Sequence, residues 1–174
     1  YKTSDSLLQG EVKHFNPENW GNLIEADLNG RLKAQAMIKP QISAQVQFDI
    51  ANSRIRQYPF AAIGHFDYRH QGYQINKAQA DIFLGSNKAH IQGQLNPKAA
   101  DLQFTLNANN LAQIDPKLSG TITASGRVFG GYQQAKINAQ FNVDANNLSR
   151  IHPILSGTLK AHGEVSGALM HPSL

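Results

Sequence analysis

The sequence predicts an all-β protein, an elongated and repetitive antiparallel sheet with one apolar and one wet face. Three observations carry that expectation. Across residues 41–50 every even position is apolar (Ile42, Ala44, Val46, Phe48, Ile50) and every odd one polar (Gln41, Ser43, Gln45, Gln47, Asp49), which is the two-residue period of a half-buried strand. Turn residues punctuate such segments at Lys39-Pro40, Gln71-Gly72, Gly85-Ser86-Asn87, Asn96-Pro97 and Gly130-Gly131. The chain also repeats itself: residues 104–130 align without gaps on residues 141–167, an offset of 37.

Taken along the chain, Asn16-Pro17-Glu18-Asn19-Trp20 has a capping Asn and a first-turn Pro, and predicts a short helical turn. Leu32, Ala34, Ala36 and Ile38 then predict a strand, followed by the 41–50 strand. Tyr58, Pro59, Phe60, Phe66, Tyr68 and Tyr73 form one aromatic cluster, in which Phe60 and Phe66 share parity with Ala62 and Gly64. It reads mainly as packing, with contact to an apolar guest as the alternative. Weaker alternation follows in Ala78, Ala80, Ile82 and in Ala89, Ile91, Gly93, Leu95, and clean alternation in Leu102, Phe104, Leu106, Ala108 and in Ile137, Ala139, Phe141, Val143, Ala145. Short turns are expected at the Asn-Asn-Leu segments, and strands of about eight to ten residues joined by short connections imply a meander of hairpins.

The repeat changes what the fold must do. Ala108, Asn109, Asn110, Leu111, Pro116, Leu118, Ser119, Gly120, Gly126 and Val128 meet Ala145, Asn146, Asn147, Leu148, Pro153, Leu155, Ser156, Gly157, Gly163 and Val165, and a diluted third copy lies at Leu28-Asn29-Gly30. Units of this kind cannot bury an apolar face alone and stack on their neighbours. Gly and Ala alternate in the strand after Ser-Gly (Ala124, Gly126, Gly130), where they either fill a narrow core against Phe104 and Leu106 or let the sheet bend and another chain approach. A continuous sheet with one apolar face closes on itself or accommodates an apolar guest. The candidate lining of such a groove is Ile42, Val46, Phe48, Ile91, Leu95, Leu102, Phe104, Leu106, Ile122, Val128, Ile137, Phe141, Val143, Leu159 and Val165.

At 174 residues the chain suits one folded unit. Charged residues are only 16 %, so Asn, Gln, Ser and Thr supply the polarity, as suits exposed β faces better than solvated helices. The net charge of +4 is scattered singly, as at Lys33, Lys77, Lys98 and Lys136. With no basic run and no aromatic interleaving, a nucleic-acid partner is not expected. The absence of cysteine excludes disulfides, thiolate zinc sites and Cys nucleophiles. No apolar run approaches the roughly 18 to 20 residues of a membrane helix. The opening at Tyr1 and the closing Met170-His171-Pro172-Ser173-Leu174, which reads as the start of another motif, suggest that residues 1–174 are one fragment of a larger repeat domain, with any anchor or targeting segment outside it.

Catalytic chemistry is not in sight. His14, His65, His70, His90, His152, His162 and His171 show no metal-ligand spacing, and the best pair, His65 and His70, has opposite strand parity. No phosphate-cradling glycine motif and no Gly-x-Ser-x-Gly elbow occurs, and carboxylates such as Asp49, Asp81, Asp101 and Asp144 fall on polar strand faces. Asn147-Leu148-Ser149 matches a glycosylation sequon, a pattern that recurs by chance. Neither a metal, a cofactor nor an enzymatic activity is expected.

Ala108-Asn109-Asn110-Leu111, then Pro116-Lys117-Leu118-Ser119-Gly120, then a Gly-spaced strand resembles the repeat of the TamB family, within the wider group of AsmA-like bridge proteins. Residues 89–95, Asp101-Leu102 and residues 23–30 carry the same likeness. The resemblance implies a β-taco-like sheet curled into an open trough with an apolar concave face, in the periplasmic part of an inner-membrane-anchored protein of a Gram-negative envelope. It also implies a TamA-type outer-membrane partner, outer-membrane protein assembly and phospholipid passage between the membranes. The guest of the trough is then a phospholipid acyl chain or an unfolded outer-membrane β-strand. The rival expectation is a β-solenoid segment of a surface adhesin or autotransporter passenger, for which a 37-residue period is awkward. A transmembrane barrel is poorly served by Ala124, Gly126, Ala161 and Gly163 as a lipid-facing band.

Overall fold

A computed structural model of the chain describes residues 5–20, 24–37, 42–70, 74–96, 99–131, 135–150, 154, 156–168 and 171–173. Eleven strands form one sheet, in chain order from edge to edge: β1 (Asp5–Phe15), β2 (Ala26–Met37), β3 (Ser43–Ile55), β4 (Tyr58–Arg69), β5 (Gln74–Leu84), β6 (Asn87–Leu95), β7 (Ala100–Ala108), β8 (Thr121–Gly130), β9 (Lys136–Ala145), β10 (Leu159–Ala168) and β11 (His171–Ser173). Every pairing is antiparallel between sequence neighbours, and among the described residues β1 does not meet β11, so the sheet is open. Strand-to-strand meandering of this kind is not the coiling of a β-solenoid.

The short helical turns stand where Asn residues cap them. Asn16 Oδ1 accepts from the Glu18 and Ala26 amides at 3.1 and 3.2 Å, opening the 3-10 turn Pro17–Trp20. Asn110 Oδ1 accepts from the Ala112 amide at 3.2 Å at the head of Leu111–Gln113, and Asn147 Oδ1 from the Ser149 amide at 3.1 Å at Leu148–Arg150. This is the ordinary service of a cap to orphan helical donors. The expected turns at Lys39-Pro40 and Gln71-Gly72, and Tyr73 of the aromatic cluster, lie outside the described residues.

Several strands outrun the eight to ten residues that alternation suggests, β3 reaching 13. The reason is bulging. Register shifts separate β1/β2 near His14, β2/β3 after Asp27, β3/β4 near Asn52, β4/β5 after Asp67 and β5/β6 after Ile75, with His14 and Asn52 at φ 51° and 52°. A bulge continues the strand while breaking the two-residue period and bending the sheet. From β6 to β10 the register runs unbroken.

One end of the strands is knitted together by its connectors. Arg56 N donates to Glu25 O and Gly85 N to Pro59 O, each at 2.8 Å, while Arg56 Nη1 reaches Ile114 O at 3.1 Å. Buried Asn87 donates to Leu84 O, Asn110 O and Gln113 Oε1 and accepts from the Asn110 amide at 2.8 Å. Ser119 Oγ donates to Asn147 O at 3.0 Å. Ala26, Ser53, Asn87, Ala108, Leu111, Ser119 and Ala145, all buried, sit at this same end. The tightest packing therefore follows the turns rather than the middle of the sheet.

Candidate functional site

The register lays the strands' apolar positions side by side. One row runs Gly10, Leu32, Phe48, Gly64, Ala80, Ile91, Phe104, Gly126, Ala139, Val165 across β1 to β10. A second runs Leu8, Ala34, Val46, Phe66, Ala78, Gly93, Leu102, Val128, Ile137, Gly167, and a third Val12, Gly30, Ile50, Ala62, Ile82, Ala89, Leu106, Ala124, Phe141, Gly163. None of the three holds a polar side chain. The rows on either side do: Ser6 and Tyr68 on one flank, Asn87 on the other. At the usual spacings the band is about 13 Å wide along the strands and about 43 Å long across them.

Most of the expected lining residues lie in this band. Val46, Phe48, Ile91, Leu102, Phe104, Leu106, Val128, Ile137, Phe141 and Val165 fall in the three rows; Ile122, Val143 and Leu159 continue the same face toward the knitted end, and Leu95 continues it toward the other. Ile42 stands just ahead of β3, 46 % exposed. The face is not a filled core. Among the described residues no large side chain is fully buried, the buried apolar residues are alanines and Leu111, and Leu32, Ile91 and Leu159 remain 39, 42 and 46 % exposed. Sequence reasoning did not include Leu8, Val12, Leu32, Phe66 or Ile82 in the lining; pairing of β1 with β2, of β2 and β4 with β3, and of β5 with β4 and β6 is what brings them there.

Aromatic rings lie over glycines within the band. A Cβ on Gly64 would stand 2.5 Å from Phe48 Cζ, and one on Gly163 2.8 Å from Phe141 Cζ. Each ring therefore covers the bare backbone of the neighbouring strand, a close approach that only glycine leaves open.

The opposite face is polar in register. Gln9, Lys33, Gln47, His65, Gln79, Gln92, Gln103, Arg127, Asn138 and Ser166 form one of its rows. Arg127 grips Asp101 through Nε–Oδ1 at 2.6 Å and Nη2–Oδ2 at 2.8 Å, which holds the Asp101 carboxyl below its ordinary pKa. A hollow of about 800 Å³ also opens on this face, over β1 to β5, lined by Glu11, Arg31, Lys33, Asp49, His65 and Asp81 together with Leu32, Phe48 and Ile63. A twisted sheet is saddle-shaped and so is concave on each face along one diagonal, which is why a hollow forms opposite the apolar band. Three carboxylates and two fixed cations share its lining with Leu32, Phe48 and Ile63, so it is a mixed surface and not a continuous apolar one. The apolar band is the surface whose exposure costs free energy, and the functional argument follows it.

On the polar face His90 Nδ1 lies 2.5 Å from Asp81 Oδ1, and this hydrogen bond raises the His90 pKa against a smaller opposing effect of burial. A His whose pKa rises on folding contributes stability that is complete below its unfolded value near 6.5 and lost as pH climbs through the raised one. The difference in melting temperature between the native chain and His90→Gln should therefore be largest at pH 5.5 and shrink by pH 8.5. A difference independent of pH would remove the ion pair.

Among the described residues no group of three or more His, Asp or Glu side chains converges as a metal site, and no helix is long and apolar enough to cross a membrane. The family model of the TamB N-terminal domain matches residues 6–143. No curated protein and no solved structure gave a match. With its open antiparallel sheet and its repeated Asn-Asn-Leu and Ser-Gly steps, and with the family's domain matched over most of its length, the chain belongs to the TamB family.

Proposed function

We infer that the chain is a periplasmic segment of a bridge between the inner and outer membranes, not an enzyme, and that its apolar band carries phospholipid acyl chains. The observation behind this reading is the band itself: three adjacent rows across β1 to β10 without a polar side chain, mostly half-buried, with Leu8, Val12, Leu32, Ile82 and Ile91 exposed, and without a second layer among the described residues. Family membership supports the reading, since it suggests a role in outer-membrane protein assembly or lipid transport, with a TamA-type protein as the outer-membrane partner.

Magnitudes favour a lipid guest. A buried methylene gains roughly 0.8 kcal/mol, so a chain of about fourteen carbons gains on the order of 10 kcal/mol on leaving water. One leaflet's hydrocarbon is about 15 Å deep, so the band exceeds the length of an acyl chain and a lipid has room to slide. No individual residue needs to hold it.

A photo-crosslinking amino acid at Phe141 or Val143 should capture phospholipid in cells, and the same group at Asn142, on the wet face, should not. Equal capture at all three positions would remove the lipid-bearing band. Capture of unfolded outer-membrane protein in place of lipid would transfer the band to a polypeptide guest.

A further inference from the structure

The wet face carries a furrow of its own. Its central row, from Gln9 on β1 to Asn138 on β9, holds no carboxylate, and side-chain amides occupy it at Gln9, Gln47, Gln79, Gln92, Gln103 and Asn138. The hollow of about 800 Å³ over β1 to β5 shares His65 and Gln79 with a second of about 360 Å³ over β4 to β7. Asp101, in the lining of the second, is held by Arg127, which lines a third of about 450 Å³ over β8 and β9. Among the described residues Gln92 and Gln103 bond each other at 3.3 Å, whereas the side chains of Gln9, Gln47, Gln79 and Gln94 make no hydrogen bond. Asn76, where β5 slips against both its neighbours, lines the second hollow, and its Nδ2 is buried without an acceptor. A buried donor of this kind calls for a partner.

The chemistry of the furrow suits a neutral, hydroxyl-rich guest. Glu11, Asp49, Asp81 and Asp101 are matched along it by Arg31, Lys33, Lys77 and Arg127, so a polyphosphate meets no net cationic surface. A primary amide donates and accepts at once, as a hydroxyl does, whereas phosphate oxygens only accept and ammonium groups only donate. Ile63 and Phe129, exposed among the polar side chains, fit the C–H faces of a sugar ring. Spacing points the same way. Successive members of the row stand one strand apart, about 4.8 Å, and each ring of an extended pyranose chain advances it by close to that length. An extended polypeptide repeats every two residues, about 6.8 Å, and falls out of step with the row.

We propose that this furrow binds an extended neutral glycan, which lies across the strands with one ring over each and its hydroxyls on the row of amides. Gln47, Gln79, Gln92 and Gln103 exchange hydrogen bonds with successive rings, and Asn76 Nδ2 donates to a hydroxyl at the bulge. The site lies on the face opposite the apolar band and does not depend on what that band carries.

Chitohexaose and cellohexaose, titrated into the chain, should give saturable shifts in the side-chain amide signals of Gln47, Gln79, Gln92 and Gln103 in proton–nitrogen correlation spectra. Gln47→Ala and Gln79→Ala, both at exposed positions, should each weaken binding about five-fold, the usual worth of one such hydrogen bond. Asn107→Ala, exposed on the same face but two rows away, should leave it unchanged. Maltohexaose, a coiled glucan that cannot keep step with the strands, forfeits two or more of these bonds and should bind about twenty-fold more weakly than cellohexaose. Absence of saturable shifts with both extended glycans, equal binding of maltohexaose and cellohexaose, or unchanged affinity in both glutamine variants would each overturn the proposal. So would an extended peptide of alternating Gln and Ser that binds as tightly as chitohexaose, which would give the furrow to a polypeptide.

Discussion

Val143→Asp and Phe104→Arg are expected to leave the chain folded and to abolish its work in the envelope. Both residues are half-buried on the apolar face, Val143 beside Ile122 and Ala161 and Phe104 between Ile91 and Gly126. No second layer covers them among the described residues, so a new charge reaches water without being trapped, and the melting temperature should fall only modestly. An acyl chain passing the same point must desolvate that ion or leave the band, at a cost of several kcal/mol. Melting curves and envelope integrity, measured on the same variants in the intact protein, separate the outcomes. Collapse of the fold in every such variant would mean a closed core, since a buried unpaired charge has no exit. A folded and fully active variant would sink the conduit reading.

Gly120→Val should be the most damaging single change to the fold itself. A β-branched residue at φ 103° is strained, and its Cβ would collide with the Asp144 carbonyl, part of the β9 backbone. A loss of more than about 3 kcal/mol is expected. Gly157→Val carries the same backbone strain at φ 94° without the collision and should cost only about 1–2 kcal/mol. Urea unfolding of the two variants isolates the price of the close approach, and equal losses would show that it contributes nothing.

What could be read from the residues was whatever depends on neighbours two apart. β3, β7 and β9 declare themselves because a wet face and a dry face impose opposite chemistry on alternate positions, and the Asn caps declare the 3-10 turns. β1 does not declare itself: Leu7 and Leu8 are adjacent, Gly10 interrupts the pattern, and a bulge near His14 resets it. The groove list was legible in part for the same reason. Leu32 and Phe66 join it through pairing with Phe48 and Val46, which no local pattern records. The polar hollow is less legible still, since Glu11, Arg31, Asp49 and Asp81 meet only through four successive pairings. The repeat displayed Ser119, Gly120 and Asn147 as recurring types, but that the serine of one copy bonds the asparagine of the next is a fact of three-dimensional stacking.

Pairing that never skips a neighbour also governs how the protein is made. Contacts between elements concentrate in consecutive strands, so the loop each hairpin closes is short and its entropic toll small. Such a chain zips: any hairpin can nucleate, the next strand adds to the last, and the free energy accumulates in nearly equal increments, as in a one-dimensional lattice. A polypeptide of this kind acquires its structure in the order in which its residues emerge, with no wait for a distant segment, and an error in one hairpin stays within a strand or two of where it arose.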